Sequence, residues 1–149
     1  DQQFVFQRRA HAPEARREQV PFVLSKLGLK EAAPFIIQFL RSTVTDVRAN
    51  AVVALGELEY REAAEPFYAM LETEKETRIK VSICGALTRI KDGSGVEKLI
   101  AVMERESDTD LRLAAARTLQ SLTKQRYGPD PSEWRKWWNT QRGVRPEDK

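Results

Sequence analysis

Cysteine and histidine are nearly missing from this chain of 149 residues: Cys84 and His11 are the sole examples of each. One thiol excludes an internal disulfide, so no disulfide framework holds the fold and redox chemistry leaves the compartment open. A metal centre needs several converging ligands, and a thiol–imidazole couple needs two groups that meet, so the same scarcity argues against both. Long apolar runs are missing too: nothing approaches the ~20 residues that span a bilayer, and mean hydropathy is −0.54. The opening residues lack the basic, apolar and small-residue order of a secretory leader. A soluble, cytoplasmic protein is the expectation, with no membrane insertion. The chain opens on Asp1 and not Met, which points to a processed or cloned boundary and leaves open an exported form or further repeats upstream. Nor does one sign of charge dominate. Lys and Arg number 25 against 22 Asp and Glu, a net +3, which permits nucleic-acid binding without indicating it.

What the chain has is repetition. The stretch Asp46-Val47-Arg48-Ala49-Asn50-Ala51-Val52-Val53-Ala54-Leu55-Gly56-Glu57-Leu58 returns as Ile79-Lys80 followed by Ala86-Leu87 and Ile90, and again as Leu111-Arg112 followed by Thr118-Leu119 and Leu122. Arg48, Lys80 and Arg112 stand at intervals of 32 residues. A fixed period of this size, with two amphipathic segments per unit, marks a solenoid whose units bury their apolar faces only against neighbours. We label the segments of each unit A and B. The A helices read as residues 32–40, 63–71 and 95–103, with Pro34 tolerated because it falls in a first turn. Along the B helices Val47, Ala51, Ala54, Leu55 and Leu58 form one stripe of a 3.6-residue period, repeated by Ile79, Ile83, Ala86, Leu87 and Ile90 and by Leu111, Ala115, Thr118, Leu119 and Leu122. Small residues such as Ala51, Ala54, Ala86, Ala114 and Ala115 let helices approach closely. Asp46 and Asp110 are placed as N-caps. Strand signals are absent.

Residues 13–27 read as an earlier B helix with Val20, Val23, Leu24 and Leu27 as its stripe and Arg17 in register with Arg48. The preceding 1–12 are too short for a full A helix and suggest a frayed unit. After Leu122 the period stops. Tyr127-Gly128-Pro129 breaks the chain, and Asp130-Pro131-Ser132-Glu133 restarts it with the order of a capping box. The helix over 130–140 puts Trp134, Trp137 and Trp138 on one face and leaves Arg135, Lys136 and Asn139 to water. Residues 141–149 read as a disordered tail.

The segment 46–58 resembles the second helix of a HEAT repeat, in the short HEAT-like form of the phycobilisome-lyase type. Asp46, Val47, Arg48, Ala51, Ala54, Leu55, Gly56 and Leu58 carry the likeness. The later units depart from it: Lys80 replaces the Arg, Thr88 and Gln120 replace the Gly, and Thr118 replaces the second Ala. The resemblance covers roughly 13–122. It implies an all-α fold, a right-handed α-α superhelix of the armadillo/HEAT kind with B helices lining the concave side. The whole of 1–149 then reads as a single repeat domain closed by a Trp-rich helix. For function it implies a range, from chromophore lyases through scaffolds and adaptors to nucleic-acid-repair relatives.

Several features invite sharper readings and yield to plainer ones. His11 lies in a loose segment, and Cys84 aligns with Val52 and Ala116 as a small packing residue. Gly93-Ser94-Gly95 lacks the ending of a phosphate loop and reads as an interhelical turn. Glu72, Glu74 and Glu76 lack the spacing of a calcium loop and read as a solvated connection. The row Arg17, Arg48, Lys80, Arg112 could be a phosphate ladder, but in HEAT-like repeats this residue lies along the seam between units and pairs with acids or carbonyls. Arg8, Arg9, Arg16 and Arg17 form a denser basic group without aromatics for base stacking. The three Trp cover the end of the stack, as a solenoid requires, in preference to forming an anchor.

The expectation is therefore a non-catalytic protein–protein interaction module or scaffold that needs no cofactor or metal, with a protein partner. Alternatives are a bilin-lyase-like or chaperone-like subunit, and a nucleic-acid-binding protein. The candidate partner-binding positions, opposite the buried stripe of the B helices, are Ser25, Lys26, Val53, Glu57, Gly85, Arg89, Arg117, Gln120 and Ser121.

Overall fold

A computed structural model describes residues 29–143, and within them the chain folds as helices and connections with no strand. Each unit pairs an A with a B helix. The first A segment is α1 (Ala33–Ile36), with 3-10 turns before it (Lys30–Ala32) and after it (Ile37–Arg41), and its partner B helix is α2 (Thr45–Glu57). Then come α3 (Ala64–Thr73, led by the 3-10 turn Arg61–Ala63) with α4 (Thr77–Ile90), α5 (Val96–Arg105) with α6 (Thr109–Thr123), and a closing helix α7 (Pro131–Gln141). The expected helix over 13–27, with Arg17, Ser25 and Lys26, and the basic group near the start lie outside the described residues.

The 3.6-residue stripes account for the core. Ala51, Leu55, Ile79, Ile83, Leu87, Leu111, Ala115 and Leu119 have no exposed surface, and they meet Ile36, Phe67, Leu71, Leu99, Ile100 and Met103 from the A helices in one continuous cluster. Neighbouring B helices share a far longer contact than neighbouring A helices do. Helices crowded on one side and spread on the other bend a stack toward the crowded side, which puts the B layer on the inner face of the curve.

Side-chain size sets that crowding. Gly56 on α2 lies against Ala86 on α4, and no Cβ would fit between them. At the equivalent level of the next seam the partners are Thr88 and Thr118. Their hydroxyl oxygens stand 3.0 Å apart, and both reach the carbonyl of Cys84, at 3.0 and 2.9 Å. The two departures from the repeat pattern thus meet each other, and a hydrogen-bonded pair takes the place of a close Gly–Ala contact. In the A layer a second close approach staples α3 to the turn before α5. The Tyr68 ring lies where a Cβ on Gly95 would be, and its hydroxyl donates to the Asp92 carbonyl at 2.7 Å. Burial pushes the Tyr68 phenol up to about 12.

Helix starts differ from the sequence reading. Asp108, not Asp110, caps α6 by accepting from the Leu111 amide at 2.9 Å, and α2 begins after Val44 with no side-chain cap. Asp46 and Asp110 sit inside the first turns, where a carboxylate still meets the positive end of the helix dipole, and Asp46 is used instead by Arg78, 2.8 Å away. Asp130 does cap α7, with Pro131 in the first turn. The helix runs on through Gln141, one residue into the expected tail. No helix among the described residues is long and apolar enough to cross a membrane.

Candidate interaction surface

The period of 32 residues turns the B layer into a grid. Positions one period apart occupy the same level on successive helices, so Val53, Gly85 and Arg117 form one row and Glu57, Arg89 and Ser121 another. Val53 is 37 % exposed, unusual for a valine in this fold. Gly85 faces open space, and Arg89 and Arg117 are exposed. Glu57 and Ser121 are half-buried. Between α4 and α6 this face opens into a cavity of about 510 Å³ lined by Arg78, Val81, Asp110, Leu113 and Arg117 among others. Gln120 stands apart from the rest. It occupies the Gly position of the repeat and its amide donates to the Tyr127 carbonyl at 2.8 Å, holding the loop that closes the B layer. That bond gives Gln120, half-buried, a structural role at the end of α6.

The described members of the basic row are structural. Arg48 donates through Nε and Nη2 to both carboxylate oxygens of Glu74, at 2.9 and 3.0 Å, and through Nη1 to the Ser42 carbonyl at 2.9 Å. One period on, Lys80 Nζ meets Glu106 Oε1 at 2.6 Å. In the last unit Arg112 turns to the carbonyls of Met103 and Glu106, at 3.1 and 2.6 Å. Each cation therefore locks a connection between A and B helices, and the first two do so across a seam. The solvated reading of the acidic connection fails at one residue. Glu72 and Glu76 are exposed, but Glu74 is buried, because only there does the carboxylate align with the Arg48 fork and with the amides of Lys75 and Glu76. The Arg48 bonds hold its carboxyl below the usual range, against a smaller effect of burial. Lys80 does the same for Glu106.

Cys84 has no exposed surface, and burial raises its thiol to about 12, which removes it as a nucleophile. Asp92, Gly93, Ser94 and Gly95 form the turn the sequence suggests, with the Ser94 amide donating to Asp92 Oδ1 at 2.9 Å. His11 lies outside the described residues.

The closing helix packs on α5, so it extends the A layer. Trp134 is fully buried, its indole N–H donating to the Gly128 carbonyl at 2.7 Å, and its ring meets Tyr127 and Trp137 edge-on at 5.2 and 6.1 Å. Trp137 and Trp138 are half-buried. Arg135, expected to face water, is instead pinned between Glu104, at 2.7 and 2.8 Å, and Glu97, at 2.6 Å. Glu97 also takes the Trp138 indole N–H. Burial pushes the Glu97 carboxyl up, but Arg135 and Trp138 together bring it below its ordinary value. A spacing in the sequence marks this site. Glu97 and Glu104 stand seven residues apart, two turns along one helix face. A second open groove, of about 810 Å³, lies on the A layer between the first A segment and α3, with Ile37, Leu40, Pro66, Ala69 and Met70 in its lining.

Among curated proteins no match is found. Residues 47–73, the span of α2 and α3, match the family model described as the PBS lyase HEAT-like repeat. That match falls on one B helix and the A helix after it, and the same pairing is built twice more by α4 with α5 and α6 with α7, so residues 47–73 are similar to the PBS lyase HEAT-like repeat and the described chain is an α-α stack of such pairs.

Proposed function

We propose that the chain is a non-catalytic interaction module that binds a protein partner across the exposed face of its B helices. One observation carries this reading. The rows Val53–Gly85–Arg117 and Glu57–Arg89–Ser121 place an apolar side chain, open space and two exposed guanidinium groups on a rigid grid, and the exposed members are not needed to hold the stack. A surface with an exposed Val and Arg side chains on a fixed backbone suits a partner that docks without rearranging the module. The lone cysteine, buried with a raised pKa, adds to the non-catalytic reading because it removes the one thiol available for covalent chemistry.

Photo-cross-linking residues placed at Val53, Gly85 and Ser121, and at Gln38, Ala69 and Lys98 on the A layer, test the proposal in a lysate of the source cells. A protein captured from the first set and not the second, whose purified form then binds with reduced affinity to R89E/R117E at unchanged Tm, supports it. Capture from the A layer with affinity indifferent to Arg89 and Arg117 removes the B-helix face as the interface.

A further inference from the structure

At the C-terminal end of the B layer, α6 and the chain leaving it enclose an open cavity of about 670 Å³ lined by Arg117, Gln120, Ser121, Lys124, Gln125 and Arg126. Three of the six are cations and none is acidic. Resting on the reading of the B-helix face as an interaction surface, we infer that this cavity docks an acidic segment of the partner protein.

The geometry is built into the backbone. Arg117, Gln120, Ser121 and Lys124 fall at i, i+3, i+4 and i+7, one face of α6. Lys124 then ends the helix in the left-handed region, φ 63°, with its amide bonded to the Gln120 carbonyl. That turn brings Gln125 and Arg126 round to the same side, and two bonds fix it: Gln125 N–H to Thr123 Oγ1 at 3.2 Å, and the Gln120 amide to the Tyr127 carbonyl. The walls are therefore held before any ligand arrives.

Cations at the end of a helix have a purely structural explanation in the helix dipole, whose influence fades within the last turn. Arg117 lies beyond that turn. Several cations elsewhere in the fold are matched with carboxylates, as in Arg48 with Glu74, Lys80 with Glu106 and Arg135 with Glu97 and Glu104. Arg117, Lys124 and Arg126 are exposed and form no ion pair among the described residues. The acid nearest in sequence, Asp130, is turned to the start of α7. Three like charges round one opening repel, and an incoming carboxylate series would relieve that repulsion. Charge along the C-terminal ends of the B helices runs the same way, from Glu57 and Glu59 at α2 to Arg89 and Lys91 at α4 to this cavity at α6. An acidic strand would thus be guided to one end of the array and repelled from the other.

A peptide fits better than a nucleic acid. Phosphate binding to a duplex needs an extended basic stripe, and here Asp108 and Asp110 close one direction and Glu57 and Glu59 another. No aromatic lines the cavity for base stacking, whereas Ser121 and the Gln125 amide match the donors and acceptors of a peptide backbone.

The test titrates the full chain, labelled with 15N, with a short synthetic peptide alternating Glu and Ser, and with a Lys-for-Glu counterpart. Saturable amide shifts confined to residues 117–126 and the neighbouring Arg89 and Lys91, absent with the Lys peptide, are the expected result. R117E/K124E/R126E should weaken binding by about tenfold or more with the helical fold retained, while the equal charge change K30E/R41E/R61E leaves binding as it was. R117Q/K124Q/R126Q serves should the reversed triple not fold. Shifts spread over every basic surface, equal loss in both triples, or tighter binding at the same residues by a DNA oligonucleotide of equal charge would each overturn the inference. Cross-links at Val53 and Gly85 without a peptide response at the cavity would keep the interaction face and remove its acidic ligand. A peptide response with cross-links only on the A layer would do the reverse.

Discussion

Gly56 and Ala86 touch across the seam between α2 and α4 so closely that a Cβ built on Gly56 would stand 2.8 Å from the Ala86 Cβ and 2.9 Å from its Cα. Backbone and methyl cannot yield as a flexible side-chain end could. Alanine is the better helix former by roughly 1 kcal/mol, yet Gly56→Ala should lower stability by about 1–3 kcal/mol because the helices must part. Gly85, one residue from Ala86, has nothing within 4 Å of an added Cβ, so Gly85→Ala should raise stability by about 0.5–1 kcal/mol. Urea denaturation of the two variants reads opposite signs, and equal signs would show the seam to be misplaced.

The stripe residues offer a second measurement. Leu55 and Leu87 are fully buried, and truncating either to Ala should cost about 2–5 kcal/mol. A loss below about 0.5 kcal/mol at both, the size of an ordinary surface change, would contradict their place in the core.

Acid should loosen the units at defined residues. Glu74 and Glu106, held below the ordinary carboxyl value of 4.5, bind fewer protons folded than unfolded. Their contribution is complete above that value and is lost as pH falls through the lower folded pKa. Glu74→Gln should lower stability at neutral pH by about 1–3 kcal/mol, the scale of a charged hydrogen bond, and flatten the decline of stability with acid. An unchanged acid limb in this variant would mean that the Arg48–Glu74 contact is not a source of it.

Tryptophan fluorescence checks the closing helix. Trp134 has no exposed surface and its indole N–H is bonded to Gly128, so acrylamide should barely quench it, while Trp137 and Trp138 respond in part. Trp134→Phe, which removes that bond and part of the ring, should cost about 1–3 kcal/mol and leave a more uniformly quenched emission.

The alternation of A and B helices, the buried stripes and the seam role of Arg48 and Lys80 were readable because each depends on spacing, and spacing survives in sequence. Contacts between units were harder to read. Thr88 and Thr118 look like two unrelated departures from a pattern until the seam brings them 3.0 Å apart, and Glu74 differs from Glu72 and Glu76 only by which one faces Arg48. Asp108 and Asp110 are chemically equal as caps, and the choice between them depends on where the preceding connection ends. Of the candidate positions, Val53, Gly85, Arg89 and Arg117 are exposed on the grid, while Gln120 donates to the Tyr127 carbonyl in the loop after α6, a contact that its own helix wheel does not show.

The ion pairs that cross each seam also bear on how the array would come apart. To peel α2 away from α3 and α4, Glu74 must give up Arg48 while still half-enclosed, and to peel α4 away from α5 and α6, Glu106 must give up Lys80. A fraying unit would therefore leave a stranded charge at the new edge, at a cost set by its neighbour and not by itself. Stacks of this kind are described by the strength of coupling between adjacent units, and here that coupling is ionic as well as apolar. Neutral pH and low salt should make the array melt as one body, whereas high salt or acid would let it unravel from its ends, with amide exchange spreading inward one unit at a time.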